Sequence, residues 1–211
     1  QASSSEMFGK SKPPQNEKTL FQPRSVYAIA KVFAYHSVIH YREAYNVHAC
    51  NGILFNHESP RRGVNFVTKK IIQGLTRIKN GQQKTLTLGN LYSKRDWGHA
   101  KDYVESMWLI LQQKKPDDFV VATRTSNSVK DFVNIAAKKL GIKIIWKNIG
   151  LKEVGINIEN KKIIIRINKK YFRETEVDNL IGDFSKAKKI LKWKPKYSFD
   201  KLVDDMIKNE K

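Results

Sequence analysis

The chain has 211 residues, of which 40% are hydrophobic, and this length is enough for one large domain or two small ones with a sizeable core. No stretch approaches the roughly 18 consecutive apolar residues of a membrane helix, so we expect no membrane span. The start has neither the basic nor the apolar part of a signal peptide. It also lacks an initiator methionine, which predicts that the chain begins inside a longer protein. The single cysteine, Cys50, lies in an apolar run, and we expect a buried thiol in a cytoplasmic protein.

The charge is strongly positive, with 40 lysines and arginines against 20 acidic residues and a net charge of +20. Only 9 of the 40 cations are arginines, and the lysines are spread through the chain. Nucleic-acid modules usually combine a focused basic patch with arginines or stacking aromatics. We therefore expect no nucleic-acid partner despite the charge.

The first predicted helix follows a polar, proline-containing loop and extends from about Arg24 to Asn46. Its apolar residues cover more than one face, which predicts burial on two sides, one against the domain core and one at a subunit interface. They are Ala28, Ile29, Val32, Phe33, Tyr35, Ile39 and Tyr41.

A short apolar run from Val47 to Phe55 predicts a parallel strand that is covered on both faces. The polar loop after it, Asn56 to Gly63, lies where ligands bind in open α/β sheets. Strands and helices then alternate, which predicts an α/β fold. The expected helices are 66–78, 100–113, 128–140, 185–191 and 199–209, and the expected strands are 84–88, 118–122, 142–146 and 163–165. Ser128 and Asp131 resemble a capping box.

Tyr27 and Lys31 are the first candidate catalytic residues, because four residues on a helix place them on one face. A phenol is a poor base at neutral pH, since its usual pKa is about 10. A lysine one turn away favours the phenolate, which can accept a proton from an alcohol. Taken alone, this pair also fits a half-buried aromatic beside a solvated lysine.

Ser4 and Glu6 precede Tyr27 by about twenty residues, a spacing that suits a strand end and a loop returning to the helix start. A serine can hydrogen-bond the same substrate hydroxyl that Tyr27 deprotonates, and a glutamate can remove a proton from carbon. Read without Tyr27 and Lys31, these residues fit a flexible loop with a solvated carboxylate.

Six segments form a recognisable series along the chain: Gln1–Gly9 (QASSSEMFG), Pro23–Lys31 (PRSVYAIAK), Asn51–Gly63 (NGILFNHESPRRG), Leu88–Asn90 (LGN), Arg95–Tyr103 (RDWGHAKDY) and Tyr171–Arg173 (YFR). Taken in this order, they resemble the GDP-mannose 4,6-dehydratase family of extended short-chain dehydrogenases/reductases. The resemblance covers nearly the whole chain but begins about halfway through the family's cofactor domain. In agreement, the chain contains no glycine-rich turn between a strand and a helix to hold a dinucleotide pyrophosphate, so the chain alone is expected to lack the cofactor's phosphate site.

The resemblance implies a redox-neutral reaction with NADP, in which GDP-mannose becomes GDP-4-keto-6-deoxy-mannose. Tyr27 would take the proton of the C4 hydroxyl with the help of Lys31, which also holds the nicotinamide ribose. Glu6 would be the base at C5 and the acid for the departing C6 hydroxyl. Ser4 stands where the family commonly carries threonine and keeps the hydroxyl.

The binding residues are likewise implied by the resemblance. His57 and Arg62 match family positions that contact NADP, and Asn56 matches a substrate contact. The cations expected at the GDP diphosphate are Lys70, Arg95 and Arg173, since charge-assisted contacts to phosphate are strong. Glu176 is expected at the nucleotide ribose. No metal site is expected.

The implied architecture is the C-terminal portion of a Rossmann-type parallel sheet plus a smaller α/β substrate-binding domain. Residues 1–55 would belong to the Rossmann domain and residues 56–211 mainly to the substrate domain, with 84–125 partly returning to the Rossmann sheet. The family and the helix after Tyr27 both suggest a homodimer or homotetramer. Two alternatives stay open: another nucleotide-sugar dehydratase or epimerase, and a non-catalytic protein that binds a nucleotide sugar or a polyanion.

Overall fold

The structure is a computed structural model that describes residues 1–172, 175, 177 and 179–210. The strands are β1 Ala2–Ser4, β2 Asn51–Leu54, β3 Asn56–Glu58, β4 Leu86–Leu88, β5 Lys94–Arg95, β6 Trp97–His99, β7 Asp118–Val121, β8 Asn127–Ser128, β9 Ile144–Lys147, β10 Val154–Asn157 and β11 Ile163–Ile167. The α-helices are α1 Val26–Tyr45, α2 Val67–Lys79, α3 Ala100–Leu111, α4 Val129–Lys139, α5 Ser185–Ile190 and α6 Phe199–Lys208. Short 3-10 turns are Ser5–Met7, which follows β1, Gly150–Lys152 and Lys169–Tyr171.

All six predicted helices are present, and the α/β class is confirmed. The prediction for the strand from Val47 was too long, because β2 begins only at Asn51. Helix α1 ends at Tyr45, and the next residue, Asn46, takes the left-handed conformation with φ 53°, so the chain turns and needs several residues to enter the sheet. The polar loop after β2 was also misjudged, since its first residues form β3.

The chain divides into two compact units, and the first comprises residues 1–57, 94–126 and 177–199. Its sheet is parallel, with the order β1-β2-β7. Ser3 pairs with Ile53, and Ile53 pairs with Val120. All four residues of the central strand β2 are buried, which confirms the prediction of a strand covered on both faces.

Alternate residues of these strands belong to two separate hydrophobic clusters, as expected for the two faces of a sheet. One cluster contains Ile53, Val120 and Tyr35 of α1. The other contains Leu54, Val121 and Tyr103 of α3, together with Cys50, whose predicted burial is confirmed. Helices therefore cover both faces, and α1 lies on the face formed by Ile53 and Val120.

One of the two predicted buried sides of α1 packs within the domain, and the other, which was predicted to lie at a subunit interface, stays a prediction. Only Ala28 and Tyr35 are buried, because a single face of the helix packs against β1 and its 3-10 turn. Three residues of the predicted apolar set, Ile29, Phe33 and Tyr41, are exposed, and Phe33 has 75% of its surface in solvent.

The second unit comprises residues 58–93, 127–176 and 200–211. Its mixed sheet has the order β4-β11-β10-β9, in which β11 is parallel to β4 and antiparallel to β10. Helices α2 and α4 pack against each other. The capping box at the start of α4 is confirmed, since the Ser128 hydroxyl accepts the Asp131 N–H and the Asp131 carboxylate accepts the Ser128 N–H.

Within the residues that the structure describes, none of the helices has the length and apolar character needed to cross a membrane.

Candidate active site

The carboxyl end of β1 carries the first two candidate residues. Ser4 is the last residue of the strand, and its hydroxyl accepts a hydrogen bond from the Glu6 N–H at 3.2 Å. This contact caps the 3-10 turn in which Glu6 lies. The chain therefore turns here, and the Ser4 hydroxyl and the Glu6 carboxylate are two residues apart at this turn.

Helix α1 carries Tyr27 and Lys31, and its start is fixed by Ser25, whose hydroxyl accepts the Ala28 N–H at 3.1 Å. The Lys31 ammonium nitrogen lies 5.6 Å from the centre of the Tyr27 ring. It also donates a hydrogen bond to the Ala2 carbonyl of β1 at 2.8 Å. Tyr27 and Lys31 therefore share one face of the helix, as their spacing predicts, and Lys31 joins α1 to the strand that leads to Ser4.

Asn56 and His57 follow β2 at the same end of the parallel sheet. His57 is oriented by two contacts: Nδ1 lies 2.9 Å from the Phe55 carbonyl, and the ring stacks on Tyr103 at 4.8 Å between centroids. The Oδ1 atom of Asn56 is buried and has no hydrogen-bond partner among the described residues. A buried amide oxygen in this state costs free energy, so it is suited to accept a hydrogen bond from a ligand.

Arg95 is held more firmly than a surface cation. Its Nη1 donates to the carbonyls of Lys94 at 2.9 Å and of Val177 at 2.6 Å. Its Nε lies 4.0 Å from the Glu6 carboxylate, and only 10% of the side chain is exposed. The structure thus brings Arg95 to Glu6, a contact that the sequence did not predict.

In the second unit, Arg62 is held between an acid and an aromatic ring. Its Nε lies 3.0 Å from the carboxylate of Glu58, and its guanidinium carbon lies 3.5 Å from the centre of the Phe66 ring. Burial raises the pKa of Glu58, while the charge of Arg62 and a hydrogen bond from Thr68 act in the opposite direction. The guanidinium is therefore preoriented, as a phosphate contact requires.

Lys70 of α2 also has an aromatic neighbour in the second unit. Its ammonium nitrogen lies 3.7 Å from the centre of the Tyr171 ring, a cation–π distance. Arg173 and Glu176, the other two predicted substrate contacts, lie outside the described residues.

Two buried acids of the first unit support the site and were not predicted as functional residues. Asp118, the first residue of β7, accepts hydrogen bonds from Tyr35 and Arg42 of α1 and from Asn51 of β2. Asp96 follows Arg95 and is fully buried. The signal for Asp96 was its place inside the RDWGHAKDY segment, whereas no local pattern marks Asp118.

Comparison with known proteins gives one family. A sequence profile described as GDP-mannose 4,6 dehydratase matches residues 1–206. The chain is 56% identical over 209 residues to "GDP-mannose 4,6 dehydratase" of Drosophila melanogaster, covering 99% of this chain and 53% of that protein. It is 55% identical over 207 residues to "GDP-mannose 4,6 dehydratase 1" of Arabidopsis thaliana, covering 98% of this chain and 53% of that protein. The chain thus spans about half the length of the curated relatives it matches.

Solved structures with a similar fold have little sequence identity to the chain. RMD from Pseudomonas aeruginosa, complexed with NADPH, aligns with a TM-score of 0.83 at 17% identity, over 99% of this chain and 64% of that chain. A dTDP-glucose 4,6-dehydratase from Bacillus anthracis, in complex with NAD, gives 0.79 at 18% identity over 99% and 60%. These similarities confirm the Rossmann-type fold.

Proposed function

Because the chain belongs to the GDP-mannose 4,6-dehydratase family, we propose that it forms the catalytic and substrate-binding portion of an enzyme that converts GDP-mannose into GDP-4-keto-6-deoxy-mannose. One observation carries this proposal. Helix α1, which carries Tyr27 and Lys31, packs against β1 and against the 3-10 turn, the two elements that carry Ser4 and Glu6.

The cofactor in this proposal is NADP. The donor set fits it, since an ammonium, an imidazole and a guanidinium suit ribose hydroxyls and phosphates. Lys31, His57 and Arg62 would hold the cofactor, and Arg62 is preoriented by Glu58 and Phe66. When bound, the nicotinamide supplies the acceptor for the hydride of C4 and the donor of the hydride that C6 receives.

Different side chains of the first unit have different roles in the proton transfers. Tyr27 takes the proton of the C4 hydroxyl, and the positive charge of Lys31 favours the phenolate that this step needs. Ser4 donates a hydrogen bond to the same C4 oxygen and fixes its position. The resulting ketone at C4 makes the C5 hydrogen acidic.

Glu6 then acts at C5 and C6. Its carboxylate removes the C5 proton and passes it to the departing C6 hydroxyl, which leaves as water. A hydride at C6 and a solvent proton at C5 complete the product, so no net oxidation occurs. The side chain of Glu6 is about one-fifth exposed, which leaves room for a substrate to reach it.

Asn56 supplies a substrate contact in this proposal, because its buried Oδ1 can accept a hydrogen bond from a sugar hydroxyl. Lys70, Arg95 and Arg173 are proposed for the diphosphate, and Glu176 for the nucleotide ribose. The exposed apolar side of α1, which includes Ile29, Phe33 and Tyr41, supports assembly as a homodimer or homotetramer through this helix.

Isotopic labelling tests the reaction on the purified full-length protein. GDP-mannose with deuterium at C4 should give a product with deuterium in the C6 methyl group. In D₂O, unlabelled substrate should acquire one deuterium at C5. Parallel reactions with NAD in place of NADP, and with UDP- and dTDP-sugars, test the cofactor and the nucleotide.

Tyr27→Phe is the decisive variant, with an expected loss of kcat of about 100- to 10,000-fold from removal of a general base. Tyr45→Phe is the matched control, because Tyr45 is another exposed tyrosine on the same helix, and its activity should equal that of the parent. Binding of GDP-mannose without a keto product from the parent would favour a non-catalytic binding protein. Turnover of another nucleotide sugar instead would favour a related dehydratase or epimerase.

A further inference from the structure

Asp96 is a buried carboxylate that the proposed reaction does not use. Its Oδ1 accepts hydrogen bonds from the Thr123 N–H at 2.8 Å and the Thr123 hydroxyl at 2.6 Å. Its Oδ2 accepts the Arg124 N–H at 2.9 Å and the Gly182 N–H at 3.2 Å. Burial raises the pKa of Asp96 to about 6, although the hydrogen bonds favour the ionised form. Four donors around two oxygens match a carboxylate, which is only an acceptor.

The donors belong to two segments at the carboxyl end of the sheet. Thr123 and Arg124 lie in the loop after β7, where Arg124 takes a left-handed conformation with φ 63°. Gly182 passes so close to this strand end that a Cβ on it would lie 2.2 Å from the Cβ of Ala122. Asp96 therefore fastens the loop after β7 and the segment at Gly182 to its own segment.

These contacts fix both the backbone and the guanidinium of Arg95. The backbone of Arg95 is adjacent to Asp96, and Lys94 forms a parallel bridge with Asn179. The guanidinium donates to the Val177 carbonyl, which lies only five residues before Gly182. One carboxylate thus holds the main chain of Arg95 and the segment that receives its side chain.

We propose that Asp96 is a positioning residue that acts through Arg95 on Glu6. The Arg95 Nε lies 4.0 Å from the Glu6 Oε1 atom, so the guanidinium sets the direction of the carboxylate that removes the C5 proton. If Arg95 shifts, the Glu6 carboxylate points away from C5 while Tyr27 and Lys31 on α1 stay in place. This inference rests on the function proposed above.

The inference can be tested because Asp96 should affect loss of water, which needs Glu6, and not oxidation at C4, which needs Tyr27 and Lys31. In Asp96→Asn the amide must present N–H groups to donors, so at least one hydrogen bond of the set is lost. At saturating GDP-mannose, where a weaker contact of Arg95 with the diphosphate no longer limits the rate, oxidation at C4 should continue. Loss of water should slow by about 10- to 100-fold, the scale expected for a catalytic group misplaced by up to an ångström. GDP-4-keto-mannose that has not lost water should then accumulate, and mass spectrometry of the reaction mixture measures its ratio to the dehydrated product.

Thr123→Val is a milder variant that keeps the test valid if Asp96→Asn does not fold. It removes one donor to Asp96 and leaves the backbone donor of residue 123. The same intermediate should accumulate to a smaller extent, and Thr123→Ser, which keeps the hydroxyl, should restore the ratio of the parent. A solely structural role would lower both steps together.

Asp102→Asn is the matched control. Asp102 is also buried and accepts two backbone N–H groups, from Lys196 at 3.0 Å and Tyr197 at 3.1 Å. It should leave the ratio unchanged. Equal loss of C4 oxidation and water elimination in Asp96→Asn, or the same accumulation in Asp102→Asn, would overturn the inference while the parent still makes product. A parent that makes no keto sugar would instead refute the proposed function, and this inference with it.

Discussion

Asp118→Asn is expected to loosen the attachment of α1 to the sheet. The Oδ1 atom of Asp118 accepts the backbone N–H and the side-chain amide of Asn51, each at 3.0 Å, and a guanidinium N–H of Arg42. The Oδ2 atom accepts the Tyr35 hydroxyl at 3.1 Å and a second guanidinium N–H of Arg42 at 3.4 Å. Since Tyr35 and Arg42 are on the helix that carries Tyr27, this carboxylate attaches α1 to β2 and β7.

The size of the effect can be worked out from these contacts. An asparagine keeps the shape but removes the charge and turns one acceptor into a donor, so two or three of the donors lose their partner. Hydrogen bonds to a charged group are worth about 1.5–3 kcal/mol each. The Arg42 side chain is 17% exposed, so hydrogen bonds to water compensate for part of the hydrogen bonding that Arg42 loses. We expect the free energy of unfolding at pH 7 to fall by about 3 kcal/mol, against about 1 kcal/mol for Tyr35→Phe.

The effect should depend on pH with a definite sign. Burial alone would raise the pKa of Asp118, but the hydrogen bonds from Arg42 and Asn51 and the charge of Arg42 hold it below its ordinary value of 3.8. A carboxylate of this kind stabilises the folded state above the unfolded pKa and loses that contribution as pH falls through the folded pKa. The difference between parent and Asp118→Asn should be largest near neutral pH and should shrink below about pH 4.

Urea unfolding, followed by circular dichroism between pH 3 and pH 7, measures both quantities. Asp117→Asn is the control, because Asp117 is the neighbouring acid but its side chain is 46% exposed and its ion-pair partner Lys186 is 27% exposed. An exposed pair contributes about 0–1 kcal/mol. A difference below about 0.5 kcal/mol for Asp118→Asn, or one that stays constant to pH 3, would refute the reasoning.

Three further predictions concern other parts of the chain. In Gly98→Ala a Cβ would lie 2.4 Å from the Tyr103 ring. The free energy of unfolding should therefore fall by about 1–3 kcal/mol. Thermal melting measures this change, and an unchanged melting temperature would contradict the prediction. Tyr171→Ala removes the ring beneath Lys70 and should raise KM for GDP-mannose a few-fold (about 0.5–1 kcal/mol) with kcat kept, whereas Tyr171→Phe should match the parent. Phe33→Asp should dissociate the proposed oligomer without unfolding the chain, and light scattering measures the change in mass; an unchanged mass would exclude this face as the interface.

The sequence predicted elements wherever a local pattern decides the structure. The apolar run ending at Phe55 and the run from Asp118 form β2 and β7, because a strand covered on both faces needs apolar residues throughout. The strand β10, Val154–Asn157, was missed. It has four residues and contains Gly155, and it is defined only by its pairing with β9 and β11. Pairing between distant segments leaves little trace in a short window.

The same limit applies to the site. Tyr27 and Lys31 were predicted because their spacing of four residues is itself the geometry that the chemistry needs. Asp96 and Asp118 act through donors that are distant in sequence, such as Thr123 for Asp96 and Tyr35 for Asp118. The sequence does not state such contacts, since they exist only once the sheet has formed.

Residues proposed to act on the substrate, such as Tyr27, and residues that hold the helix in place, such as Asp118, should therefore respond differently to substitution. Tyr27 is 55% exposed and contributes little buried surface, so Tyr27→Phe should remove activity and leave the free energy of unfolding nearly unchanged. Asp118 is buried below the helix and touches no reacting group in the proposed mechanism, so Asp118→Asn should lower stability more than it lowers kcat under conditions where the variant is folded. Measuring both quantities on both variants separates the side chains proposed to act on the substrate from those that hold the helix in place, because a single general loss of structure would change activity and stability together.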